Sequence, residues 1–192
     1  MLKALVAAVG RAMCRSRRLI WLWCWLCCLA PLPMSPAVAQ SAPGIEQAFA
    51  ASLTAMPSER LAVTGSFYVP AYSSVSLSQG KLRADFSVTL SIHNASETLP
   101  LVLKRIAYFD TSGKLVQNHL KAPVALKPFA TVEVFVPTTD VRGGTGANFV
   151  VDWAASGEIA EPVVEALVVG SVGAGHYAFI SQGRRLHNAG SN

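Results

Sequence analysis

Residues 82–93 alternate without a break: Leu82, Ala84, Phe86, Val88, Leu90 and Ile92 against Arg83, Asp85, Ser87, Thr89, Ser91 and His93. A helix would scatter the two sets around its circumference, whereas a strand sorts them onto opposite faces. The segment therefore specifies a strand with one dry and one wet face, as in an antiparallel sheet. A slip of one residue would turn every apolar group to water, so the register is specified too. The dry face then requires a second layer to cover it.

From Gly65 onward the chain supplies that layer. Residues 94–98 form a polar turn, and residues 101–109 a further strand. Asp110-Thr111-Ser112-Gly113-Lys114 carries hairpin chemistry: the Asp side chain closes the turn, and Gly accepts a positive φ. Residues 115–120 return. Pro123 and Pro128 bracket an edge or corner, because proline cannot donate to a central ladder. Val132, Val134 and Val136 share a face, as do Ala147, Phe149, Val151 and Trp153. Residues 163–169, apolar apart from Glu165, read as a central strand, and residues 177–181 close the set. Turn signals recur every ~8–12 residues, the spacing of an all-β sandwich. The expected fold is an all-β, immunoglobulin-like antiparallel β-sandwich of seven or eight strands over residues 65–186, with an open β-barrel as the alternative.

Ahead of this domain, Ile45, Phe49, Leu53 and Met56 fall on one helical face. Residues 40–64 thus read as a linker holding a short helix over 45–56, ended by Pro57. A disordered tether is the alternative, since so short a helix is marginal without packing. Beyond the domain, the chain from Arg184 reads as polar, with residues 187–192 as a tail.

The first 39 residues have a different character. Lys3, Arg11, Arg15, Arg17 and Arg18 precede an apolar run over 19–32, and Pro36-Ala37-Val38-Ala39 stands before Gln40. A basic head, an apolar middle and small residues before the cut make a secretory signal peptide, with cleavage expected between Ala39 and Gln40. Met13 would open a signal of more ordinary length than Met1. Trp25-Leu26-Cys27 before Cys28 lacks the small residues of a lipid-attachment site, and the apolar run is short of the ~20 residues that span a bilayer. Ser16-Arg17-Arg18 resembles a twin-arginine signal, but the hydrophobic Trp- and Leu-rich stretch after it favours the general secretory route.

Removing this segment changes the composition. The whole chain carries 16 Lys plus Arg against 11 Asp plus Glu, but five basic residues lie in the signal, leaving a neutral domain. The lopsided basic surface expected of a nucleic-acid or anionic-membrane binder is therefore missing. All four cysteines, Cys14, Cys24, Cys27 and Cys28, leave with the signal. The domain must hold together without disulfides in a compartment that would permit them.

Several stretches together resemble an uncharacterised family of exported bacterial proteins, domain-of-unknown-function family 3124. They are Tyr68-Val69-Pro70-Ala71-Tyr72-Ser73, Leu90-Ser91-Ile92-His93-Asn94, Tyr108-Phe109-Asp110 with Gly113 and Leu115, and Leu126-Lys127-Pro128. The fullest is Gly143-Gly144-Thr145-Gly146-Ala147-Asn148-Phe149 with Val151 and Trp153. The resemblance implies an exported bacterial domain and brings no activity with it.

Residues 140–148 are the one candidate ligand site: Gly143, Gly144 and Gly146 could present backbone N–H groups to an anion, with Arg142 adding charge and Asn148 an amide. No Lys-Ser or Lys-Thr follows, and the next element reads as a strand, so neither phosphate-loop nor dinucleotide motif is present. The competing expectation is a tight loop feeding the Trp153 strand, with Asn148 bonding backbone locally. His93, His119, His176 and His187 lack metal-ligand spacing, no HExxH occurs, and His93 is expected on an outward, exposed face. No Ser sits in a Gly-x-Ser-x-Gly elbow. Ser73, Ser74, Ser76 and Ser78 read as edge or turn residues, and Asp85, Asp110, Asp140 and Asp152 as turn or wet-face residues. Phe67, Tyr68 and Tyr72 around Pro70 read as the plug of one end of the sandwich, with an aromatic recognition surface as the alternative. Asn94-Ala95-Ser96 matches a glycosylation sequon on a turn.

The sequence thus points to an exported, non-enzymatic binding or accessory module of the bacterial envelope, with no cofactor, no nucleic acid and no membrane contact after cleavage. An envelope protein is the expected partner. A small-ligand or anion binder using residues 140–148 and a hydrolase with dispersed Asp and His are the alternatives.

Overall fold

A computed structural model describes residues 44–186. The signal, the cut between Ala39 and Gln40, and residues 187–192 lie outside the described residues. Two antiparallel sheets face each other. One holds seven strands: β1 (Leu53–Thr54), β2 (Val63–Pro70), β5 (Leu101–Phe109), β6 (Leu115–Asn118), β7 (Val124–Leu126), β9 (Asn148–Ala155) and β12 (Arg184–Leu186). The other holds five: β3 (Ser74–Leu77), β4 (Leu82–His93), β8 (Thr131–Val136), β10 (Val163–Val172) and β11 (Gly175–Gln182). The larger runs in the order β1-β7-β5-β9-β2-β12 with β6 also on β5; the smaller runs β11-β10-β4-β3 with β8 also on β4. The described strands form two separate antiparallel sheets, so the all-β sandwich stands.

β4 occupies the residues its alternation marks out. Ala84, Phe86, Val88, Leu90 and Ile92 are buried against Leu103, Ile106, Tyr108, Phe149, Val151 and Trp153 of the facing sheet. Only Leu82, at the strand's start, escapes the core. Each such large side chain contributes ~1.5–3 kcal/mol through removal from water, the only large stabilising source in a domain without disulfides. Strand β5 changes face midway. A register shift between Leu103 and Arg105 puts Leu101 and Leu103 inward before it and Ile106 and Tyr108 inward after it. That bulge breaks the sequence alternation without breaking the core.

The strand count exceeds the expected seven or eight because β1, β3, β7 and β12 are only two to four residues long. Such pieces are too short for a periodic signal. β12 takes up Arg184, Arg185 and Leu186, which read as tail in sequence, by pairing them with β2. The helix expected over 45–56 is a single turn, α1 (Ile45–Ala48), then a 3-10 turn at Ala50–Ser52 and β1. Ile45 is buried and Phe49 and Leu53 pack on the core, while Met56 is exposed; pairing Leu53 with Leu126 in β7 outweighs helix continuation.

β10 is central in its sheet, as expected. It lies between β4 and β11, but only Val164, Ala166 and Val168 are buried; Val163, Leu167 and Val169 face outward and are exposed. The apolar run expected at the centre of a sheet is there, and it is covered on one face only among the described residues.

Candidate functional site

The glycine segment sits at the end of the sandwich where β2, β5 and β9 meet. Thr111, in the β5–β6 turn, anchors it: its N–H and Oγ1 both donate to the Gly143 carbonyl (2.9 and 2.8 Å), and Oγ1 accepts from Gly146 N–H (2.9 Å). Ser73 Oγ donates to the Gly144 carbonyl at 3.4 Å, and Thr145 Oγ1 donates to the Ser74 carbonyl at 2.8 Å. Asn148 Nδ2 donates to the Gly146 carbonyl at 3.1 Å, the local backbone bond expected of it. Gly143 lies directly on the Tyr108 ring, where a Cβ would overlap the phenol oxygen and approach Ala147 Cβ to 2.5 Å. Close approach, rather than ligand access, accounts for this glycine.

Arg142 grips Asp140 in a two-pronged bond, Nε to Oδ1 at 2.8 Å and Nη2 to Oδ2 at 2.6 Å. The guanidinium's hydrogen bonds hold the Asp140 carboxyl below the usual carboxylate range, with burial opposing. The pair cancels its own charge, which lowers the pull on a passing anion. The structure therefore brings Arg142, Gly143, Gly144, Gly146 and Asn148 together, and of the donors an anion would use it engages Arg142 with Asp140, the Gly146 N–H with Thr111 and the Asn148 amide with the Gly146 carbonyl.

Beneath the loop, two polar side chains missed by sequence reasoning face Phe149. Tyr108 stacks on it at 4.8 Å between ring centroids and His119 at 6.0 Å. The Tyr108 phenol oxygen and His119 Nε2 are buried and have no hydrogen-bond partner among the described residues. Burial pushes the phenol up; the nearby Ser73 hydroxyl, which donates to the Gly144 carbonyl and is not in bonding geometry with the phenol, pulls weakly the other way. Burial likewise lowers His119 to about 4, Asp140 opposing, so the ring is neutral near pH 7. No spacing motif links positions 108 and 119; the β5–β6 hairpin, which sets Gln117 opposite Tyr108 and bonds His119 N–H to the Ile106 carbonyl, brings them to one place.

The remaining candidates are dispersed. His93 is on the outward face as expected but half-buried, with Nε2 2.8 Å from Ser91 Oγ and Nδ1 2.8 Å from Thr131 Oγ1. Ser73, in a bend, and Ser74, at the start of edge strand β3, hold the edge-or-turn positions expected of them and are buried there; Ser74 Oγ donates to Asp85 and accepts from Arg83, and no imidazole of the described residues joins them. Asp110 closes its turn by accepting from Ser112 and Lys114, and Gly113 takes φ 80°. Asp152 accepts from Ser66 and Arg105 on an outer sheet face. Phe67 is buried, while Tyr72 packs edge-on against Phe179 at 5.9 Å. Among the described residues no group of three metal-ligating side chains is assembled. No described helix is long and apolar enough to cross a membrane.

At the opposite end, the sequon asparagine has a different role. Asn94 is 1% exposed, and its Nδ2 donates to the carbonyls of Leu99, Leu126 and Lys127 at 2.9, 3.3 and 3.0 Å. The nitrogen a glycan would occupy is inside the fold and bonded.

The profile of the family described as "Protein of unknown function (DUF3124)" matches residues 64–186. A solved structure, "Crystal Structure of Thermotoga maritima 1070", is similar at 12% identity and a TM-score of 0.38, over 62% of this chain and 92% of that one. No curated protein matches.

Proposed function

This chain belongs to the family described as Protein of unknown function (DUF3124), and from that premise, which supplies a domain and no reaction, we propose an exported, non-enzymatic binding or accessory module of the bacterial envelope. The basic, apolar and small-residue segments of the first 39 residues support export. The observation that carries the contact role is the outer face of the five-stranded sheet. Phe135, Leu167 and Ile180 lie in one row across β8, β4, β10 and β11, broken only by Thr89. They are 59%, 43% and 58% exposed, and Val169, at 42%, widens the patch. Apolar side chains grouped this way on a flat sheet mark a contact surface rather than ordinary scatter. The 140–148 loop, whose polar groups serve the fold, supports the anion-binding alternative less well.

Crosslinking capture from the native envelope tests this reading, using wild type beside Leu167→Glu, a charge placed in the middle of the row. A protein captured by wild type and lost with Leu167→Glu is the expected result. Identical capture by both, with a melting temperature that rises on adding phosphate or sulfate, would overturn it in favour of the loop. N-terminal sequencing of exported material is expected to begin at Gln40.

A further inference from the structure

Among the described residues β11 ends the five-stranded sheet, pairing with β10 on one side only. Its eight residues form an edge about 27 Å long. The orientation of the backbone follows from the register. Gly183 N–H donates to the Val164 carbonyl at 2.8 Å, two residues beyond the Ser181–Ala166 pair. Odd-numbered residues of β11 therefore turn their N–H and C=O groups to β10, and His176, Ala178, Ile180 and Gln182 turn theirs to the free edge.

Proteins guard such edges with charge, proline, bulges or shortness. β12, which ends the other sheet, is three residues long and carries Arg184 and Arg185. β1, at that sheet's far end, is two residues long. β11 has none of these guards: Gly-His-Tyr-Ala-Phe-Ile-Ser-Gln holds no Lys, Arg, Asp, Glu or Pro, and its pairing with β10 runs without a bulge. Tyr177, Phe179 and Ile180 are exposed along it.

We propose that β11 pairs with β11 of a second copy, antiparallel about a two-fold axis at Phe179, joining two five-stranded sheets into one of ten. Four features favour a second copy as the occupant. In this register Ala178 meets the partner copy's Ile180 and His176 its Gln182, so every outward-turned backbone group on both edges finds its complement. The same register sets the two Phe179 rings together on the inner face and extends the Phe135–Leu167–Ile180 row into the other copy. No like charges are opposed within the strands. Antiparallel pairing also carries the two Arg184-Arg185 segments to opposite ends, clear of each other. The proposal does not depend on the envelope role, because it uses the strand's edge rather than the sheet's face.

Sedimentation equilibrium of the purified chain, with whatever N-terminus the cell gives it, is the test. The expected result is a reversible dimer with a midpoint on the order of 10 µM, at the weak end for so small an interface. Ala178→Pro removes an N–H that points only to the free edge, and Ala178→Lys places a charge there. Each is expected to weaken dimerisation at least tenfold while circular dichroism stays unchanged. Leu167→Glu, on the face, should leave the dimer intact. Phe179→Cys should form an intermolecular disulfide, because non-hydrogen-bonded partners stand ~4.5 Å apart at Cα; wild type should not. A chain that stays monomeric at 100 µM overturns the proposal. So does a dimer indifferent to both Ala178 variants, or a Phe179→Cys chain that fails to crosslink. Any of these leaves the capture experiment on the sheet face unaffected.

Discussion

Replacing Asn94 by Ala is expected to cost more stability than its place on a polar turn suggests. Asn94 Nδ2 serves the carbonyls of Leu99, Leu126 and Lys127, and Oδ1 accepts from Ser96 N–H at 3.0 Å. The side chain thus ties the start of the β4–β5 loop to that loop's far end and to the end of β7. Alanine takes a partner from four backbone groups where Asn94 is 1% exposed; the Lys127 carbonyl keeps Ala130 N–H at 3.1 Å, which leaves three groups at risk of going unsatisfied. Each buried unsatisfied group costs about 1–3 kcal/mol, and partial water entry brings the sum to about 4 kcal/mol. That is a large share of the ~5–15 kcal/mol holding a domain together. Trp153, buried in β9, is the one tryptophan outside the first 39 residues, so its fluorescence reports urea unfolding directly. With a slope of ~2 kcal/mol/M, the midpoint should fall by ~2 M. Asn94→Asp should be worse at pH 7 than at pH 4. Burial and the surrounding carbonyl oxygens raise the introduced carboxyl above its unfolded value, so the penalty grows as pH climbs past the ordinary carboxylate range. A midpoint shift under ~0.5 M for Asn94→Ala would refute the reasoning, since four broken bonds cannot cost so little.

Gly143→Ala should lower stability by ~1–3 kcal/mol in the same urea assay, because its Cβ overlaps the Tyr108 phenol oxygen. Arg142→Ala, which removes an ion pair whose arginine side chain is 60% exposed, should change stability by under ~0.5 kcal/mol. Lowering the pH from 6.5 toward 4 should destabilise the domain through His119. Its folded value is depressed to about 4 from 6.5, so its contribution is present above 6.5 and is lost on the way down. His119→Phe should flatten that part of a melting-temperature profile. Phe129→Asn should raise the melting temperature slightly, since Phe129 is exposed yet held at φ 58°, which asparagine tolerates better.

Much of the candidate site was legible in part. The sequence placed a tight loop at residues 140–148 and a turn closed by Asp110, because glycine and aspartate act through neighbours one to four residues away. It did not reveal that Thr111 and Ser73 hold the loop, or that Tyr108 and His119 lie beneath it. These partners are 30 to 71 residues apart in the chain, and nothing local records the pairing. Asn94 was read as a turn residue and sequon because its composition is that of a loop; its three carbonyl partners lie as far off as Lys127.

Sequence alone determined which residues of β4, β8 and β9 lie inside, since side chains that alternate in a strand have only one way to leave water. It also determined that no disulfide can brace residues 40–192, for none of them is cysteine. Tertiary structure decided what an apolar run cannot say about itself, namely how many of its faces have a neighbour. Residues 163–169 carry the same valines and leucine whether or not a layer covers them; the layer stops at one side, and Leu167 and Val169 remain in water. Coverage belongs to the packing of distant segments, and pattern belongs to the chain.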